Sequence, residues 1–100
     1  MPVYMTARFE VRKERLDVCQ RAIQEFVDYI GANEPDTLLY TSLYEGADPT
    51  RFLHYFIFRD EAARDRHSSS DAVFRFTDIL YPHLVAPVEF TEYVVFANTQ

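Results

Sequence analysis

The sequence contains no tryptophan, one cysteine, one lysine and only two glycines in 100 residues. With glycine confined to Gly31 and Gly46, neither the GxGxxG nor the GxxxxGK[ST] phosphate loop can be built. Cys19 has no second thiol for an internal disulfide or a thiolate zinc site. Ten basic residues stand against sixteen acidic ones, for a net charge of −6. A surface that tracks phosphates needs clustered Lys and Arg, so nucleic acid and anionic membranes are poor partners. No apolar run reaches the roughly 18–20 residues of a membrane span, and no basic-then-apolar leader opens the chain. A cytoplasmic location is the expectation.

What is present suits one globular domain over residues 1–100. Apolar residues make up 48% and charged residues 26%, enough of each for a core and a solvated surface. Aromatics reach 16%, as nine Phe and seven Tyr.

Residues 3–11 alternate apolar and mostly polar positions and predict a first strand. From Lys13 to about Ala32 the period becomes helical, with Leu16, Cys19, Ile23, Phe26, Val27 and Ile30 on one stripe. Cys19 on that stripe reads as a small buried hydrophobe. Strands follow over 37–45 and 51–59, joined by the turn cluster Gly46-Ala47-Asp48-Pro49. Asp60 can cap a short helix through Arg66, and Ser68-Ser69-Ser70 breaks it. A further helix is predicted from about Asp71 to His83, and a last strand over 88–97. The order β-α-β-β-α-β is the α+β ferredoxin-like arrangement, helices on one face of a four-stranded antiparallel sheet.

Strand parity sorts the aromatics. One face receives Phe9, Phe52, Phe56, Phe58, Phe90 and Phe96, with Leu39 and Leu43. The other receives Tyr4, Tyr40, Tyr44, Tyr55 and Tyr93, with Leu38, Leu53, Ile57 and Val95. The Phe face has no hydroxyls to satisfy and should be the dry side beneath the helices. The tyrosine face suits an interface, and a homodimer through it is expected.

The segment Glu34-Pro35-Asp36-Thr37-Leu38-Leu39-Tyr40, then Arg51-Phe52, then Arg59-Asp60 through Ser70, with Phe74 and residues 88–96, resembles the antibiotic biosynthesis monooxygenase (ABM) family. The resemblance implies a small dimeric α/β barrel of ferredoxin-like topology. Some members oxidise quinols or polyketides with molecular oxygen and neither metal nor flavin, others degrade haem or isomerise a phosphorylated signal molecule. The family's usual Glu-Pro-Gly reads Glu34-Pro35-Asp36 here, and its third-strand Glu and Trp align with Phe56 and Phe58. Haem degradation is disfavoured, because there is no Trp and Phe76-Thr77 stand near the place of the needed histidine. His67 matches the histidine opening the family's second-helix segment.

Three histidines carry the candidate chemistry. None pair at metal-binding spacing, so no metal site is expected. His54 falls among the phenylalanines with Thr41 as its expected neighbour, either a hydrogen-bonded core histidine or a general base. His67 stands at a helix end, where it either contacts the last carbonyls or acts on a substrate. His83 near a helix C-terminus suits a charge–dipole contact. The chemistry implied by the resemblance needs a flat apolar molecule to be bound, deprotonated and stabilised as an anion. Phe52, Phe56, Phe58 and Phe74 would supply walls, His54 or His67 the base, and Thr41 or Ser70 the donors. Two functions are therefore open: an oxygenase of quinol-like or polycyclic aromatic molecules without cofactor, or a non-catalytic dimeric module for a small hydrophobic ligand.

Overall fold

The structure, a computed structural model, describes residues 1–100. Its strands are β1 (Val3–Glu10), β2 (Thr37–Glu45), β3 (Asp48–Phe58) and β4 (Glu89–Tyr93). Its helices are α1 (Leu16–Asn33), α2 (Glu61–Ser68) and α3 (Asp71–Leu80), with 3₁₀ turns at Lys13–Arg15 and Tyr81–His83. All neighbouring strands are antiparallel, in the order β2-β3-β1-β4, which is the ferredoxin-like order.

Local chemistry sets these elements. On α1, Cys19, Ala22, Ile23, Phe26 and Ile30 recur at helical spacing and are buried against the sheet. The break between α2 and α3 has two caps. Asp60 Oδ1 accepts from the Ala63 amide at 2.8 Å, and Ser70 Oγ accepts from the Val73 amide at 3.2 Å. On β1 and β3, Val3, Ala7, Phe9, Phe52, His54, Phe56 and Phe58 alternate into the core as the period of two requires.

Strand β2 departs from its expected parity. Thr37 pairs with Phe58 but Leu39 with Ile57, so Leu38 is an extra residue opposite a single step of β3. This bulge reverses every side chain after it. Tyr40, Ser42 and Tyr44 therefore oppose Phe56, His54 and Phe52 on the helix side. Leu39, Thr41 and Leu43 turn to the outer face opposite Ile57, Tyr55 and Leu53. The expected places of Tyr40, Tyr44, Leu39, Leu43 and Thr41 are thus corrected together.

Strand β4 also ends sooner than expected. It pairs only with β1, from Arg8↔Glu89 to Tyr4↔Tyr93, and β1 begins one residue further on. Beyond Tyr93 the pairing with β1 stops, and Val94 and Phe96 are almost wholly exposed. Phe96 is therefore not part of the dry face.

The core forms two clusters, one around Phe9, Phe26, Phe52 and Phe76, the other around Val3, Ala7, Phe56, Phe58 and Ala63. Tyr40 and Val88 pack against both. The candidate site lies at that seam.

Candidate active site

The side chain at the centre of the site is His54 on β3, which is 1% exposed. The Leu38 bulge brings two hydroxyls to its ring. Tyr40 Oη lies 2.8 Å from Nδ1 and Ser42 Oγ lies 2.9 Å from Nε2. A neutral imidazole has one N–H and one lone pair, so one hydroxyl donates to the ring while the other accepts from it. Burial drives the His54 pKa down to about 4, since a charged ring there would be stripped of water. Burial likewise pushes the Tyr40 phenol up, helped by Tyr81 and Glu34, so it stays a neutral hydroxyl. Phe9 meets His54 edge-on at 4.9 Å, and Tyr40 stacks on Phe56 at 4.9 Å.

His67, at the end of α2, is held differently. Its Nδ1 lies 2.8 Å from Glu34 Oε1, and Thr37 Oγ1 donates to the same oxygen at 2.8 Å. Both side chains are mostly buried, at 10% and 16% exposure. A carboxylate can only accept, so in the neutral ring the proton sits on Nδ1 and the lone pair on Nε2. No protein group bonds Nε2. The carboxylate also supports positive charge that develops on the ring when Nε2 takes a proton.

Both imidazoles border one cavity of about 70 Å³, lined mostly by apolar side chains. Its walls include Phe9, Phe26, Phe56, Phe76 and Phe90, with Tyr40, Thr77 and Tyr81. Ala7 on β1 pairs with both His54 and Phe90, and its small side chain leaves the floor open between them. Phe26 and Phe76 stack across α1 and α3 at 4.2 Å and close the roof. An open apolar groove of about 530 Å³ adjoins it, sharing Tyr81, Val88 and Phe90 with the cavity.

Of the residues singled out from sequence, His54, His67 and Phe56 meet at this cavity. Phe58 is buried behind, its ring 5.0 Å from His67, and Phe52 stacks on Phe9 at 5.3 Å. Neither lines the space. Phe74 is 54% exposed on α3 and away from the cavity, which its helical position turns outward. Thr41 is on the far side of the bulge, and Ser42 takes the place beside His54 expected for it. Ser70 caps α3 and donates to the His67 carbonyl at 2.8 Å. It borders a polar cleft on the other flank of His67. Ser42 and Glu34 received no role from sequence, and Tyr40, expected in a dimer interface, instead bonds His54.

No three side chains of His, Cys, Asp or Glu are grouped as a metal site would require. No helix is long and apolar enough to cross a membrane.

A family model for antibiotic biosynthesis monooxygenases matches residues 2–78. The chain belongs to that family. Among solved structures it is similar to a proposed antibiotic biosynthesis monooxygenase from Bacteroides thetaiotaomicron, with a TM-score of 0.90 and 17% identity. That likeness covers 99% of this chain and 93% of the other. A proposed family member from Nitrosomonas europaea gives a TM-score of 0.87 and 16% identity, covering 99% and 94%. SnoaB, a cofactor-independent oxygenase from Streptomyces nogalater studied as a point variant, gives 0.83 and 14%, covering 98% and 96%. No curated protein matches by sequence.

In this ABM chain Asp36 follows Glu34-Pro35, and the structure gives its carboxylate a local use. It pairs with Arg59 and Arg66 at 2.8 Å each, tying the loop that carries Glu34 to β3 and α2. These pairs are exposed and contribute little energy.

The His54 environment makes a stability prediction. Its folded pKa of about 4 lies below the ordinary 6.5, so between these values the unfolded chain binds more protons. The contribution is complete above pH 6.5 and is lost as pH falls toward 4. Urea unfolding should show about 2 kcal/mol less stability at pH 5 than at pH 7.5 from this group. His54→Gln should remove that part of the slope; an unchanged slope would refute it.

Proposed function

We propose that this ABM chain is an oxygenase without cofactor, using His67 as base on a flat, electron-rich aromatic molecule of quinol or polycyclic type. The observation that carries this reading is the unpartnered Nε2 of His67, on a ring that borders an apolar cavity and is backed by Glu34. His54 is the weaker base, because both its nitrogens are engaged and burial opposes its charge.

The chemistry balances without a redox partner. Once His67 takes a proton, the substrate anion gives one electron to O₂, and the radical pair joins as a peroxide. The peroxide takes a proton and loses water, leaving a new carbonyl; one O₂ is consumed per product and water formed. The 70 Å³ cavity is far below the roughly 300–1,000 Å³ of ordinary ligand pockets. It suits O₂ or about two waters. The aromatic rings would lie in the adjoining groove, and movement of the shared Tyr81, Val88 and Phe90 would bring the reacting edge to His67.

The same small volume favours a second reading, a non-catalytic module for a small hydrophobic ligand. Oxygen uptake with a panel of hydroquinones, measured with a chelator and without added flavin or metal, separates the two. Uptake above autoxidation at one O₂ per product is expected. Saturable ligand binding with no uptake would overturn the oxygenase and leave the module.

Two further parts belong to this reading. The outer sheet face, rich in Leu39, Leu43, Leu53, Tyr55 and Ile57, would join two copies as a homodimer. The lone buried thiol Cys19 suits a reducing cytoplasm.

A further inference from the structure

His54 is a large buried polar side chain that the proposed base chemistry does not use. Its two nitrogens are bonded to two hydroxyls, of which only that of Tyr40 belongs to a residue lining the cavity. Tyr40 borders the cavity together with His54 and His67, and is also among the residues lining the α1–β2 groove. Ser42 borders an open groove of about 480 Å³ between α1 and β2, whose rim carries the exposed Gln20 and Gln24. No other side chain bonds the ring. The chain Tyr40–His54–Ser42 is thus a continuous line of hydrogen bonds, at 2.8 and 2.9 Å, from cavity to solvent groove.

We infer that Tyr40, His54 and Ser42 form a proton relay between the cavity and the α1–β2 groove, working by tautomer exchange of a neutral His54. In the first state Tyr40 O–H donates to Nδ1 and Nε2–H donates to Ser42. A proton arriving on the Tyr40 oxygen from the cavity displaces the Tyr40 proton onto Nδ1. The Nε2 proton passes to Ser42, and the Ser42 proton leaves to water in the groove. One proton enters and one leaves, and each of the three groups ends neutral. In the second state Ser42 donates to Nε2, Nδ1–H donates to Tyr40, and the Tyr40 hydroxyl points its proton to the cavity.

Both ring nitrogens stay paired in either state, so neither tautomer is imposed by an unsatisfied ring nitrogen. A histidine with a carboxylate partner lacks this freedom, as His67 against Glu34 illustrates. Return to the first state needs a proton moving inward. The oxygenase chemistry supplies that need, releasing a proton when the anion forms and taking one at the peroxide. That use rests on the proposed function, while the relay itself rests on the geometry.

The test is ¹⁵N NMR of the full chain labelled at histidine, at pH 7. The parent His54 is expected to show averaged shifts at both nitrogens. Tyr40→Phe should fix the proton on Nε2, since Ser42 alone remains to accept. Ser42→Ala should fix it on Nδ1, and Ser42→Thr should restore averaging. A parent ring locked in one pure tautomer would overturn the relay, and the parent spectrum decides even if a variant fails to fold. Because no turnover is needed, failure of the relay and failure of the oxygenase reading are separate results.

Discussion

Replacing His67 with alanine is expected to lower the rate of oxygen uptake by about 10²–10⁴-fold, the usual contribution of a positioned general base. The loss should fall on kcat more than on KM, because in the proposed reaction apolar walls rather than the imidazole would hold the substrate. Glu34→Gln should lose less. Its amide oxygen can still accept from Nδ1–H and keep the tautomer, but it no longer carries charge to support the imidazolium. The ordering His67→Ala, then Glu34→Gln, then parent is the signature of a base with an orienting carboxylate. Oxygen-electrode rates on folded variants check it. Full activity in His67→Ala would end the assignment, and equal losses in both variants would point to a purely structural pair.

Much of this architecture follows from periodicity. Strands β1 and β3 keep a clean alternation because both are flanked by partners, and their burial is one-sided along their whole length. The α1 stripe was equally plain, since a helix with one dry face must repeat its apolar residues at three and four. What sequence could not display was the extra residue at Leu38. A bulge leaves no compositional mark when apolar and tyrosine residues occur on both faces of the strand. Its consequence is large, because a one-residue slip exchanges the faces of Tyr40, Thr41 and Ser42. The site was therefore visible as two histidines but not as their partners. Thr41, the residue matched to His54 by parity, is one position from the hydroxyl that bonds it.

Glu34 was hidden for another reason. It stands 33 residues from His67 in sequence, and only the return of α2 over the end of β2 brings them within 2.8 Å. Long-range pairs of this kind have no spacing rule. Ala7 is a comparable case, since a small residue in a strand signals nothing until the positions of Phe90 and His54 on either side show what space it leaves. Phe52, Phe58 and Phe74 illustrate the opposite error. Aromatic residues near a site are not its walls when they stack in the layer behind it or turn to solvent.

Tyr55→Glu is expected to break the proposed homodimer into monomers. Tyr55 lies at the middle of the outer sheet face, opposite Thr6 on one side and Thr41 on the other. Above and below it run the pairs Leu39–Ile57–Tyr4 and Leu43–Leu53, while the charged row Glu45–Arg51–Glu10 marks one border. Leu39 and Leu43 remain 38% and 47% exposed in the single chain, an apolar surface that water does not favour. In a two-fold dimer the same patch meets itself, so two glutamates would be brought into the interface, while Arg8, the basic residue of that face, is already opposite Glu89. Leaving a buried charge unpaired costs about 3–5 kcal/mol, enough to raise the dimer Kd by at least about 100-fold. Sedimentation velocity at micromolar concentration should show the parent at twice 11.8 kDa and Tyr55→Glu at 11.8 kDa. Phe74→Ser, on the exposed flank of α3, should leave the dimer intact. A monomeric parent would remove the dimer from the proposal, and a dimeric Tyr55→Glu would place the interface on another face.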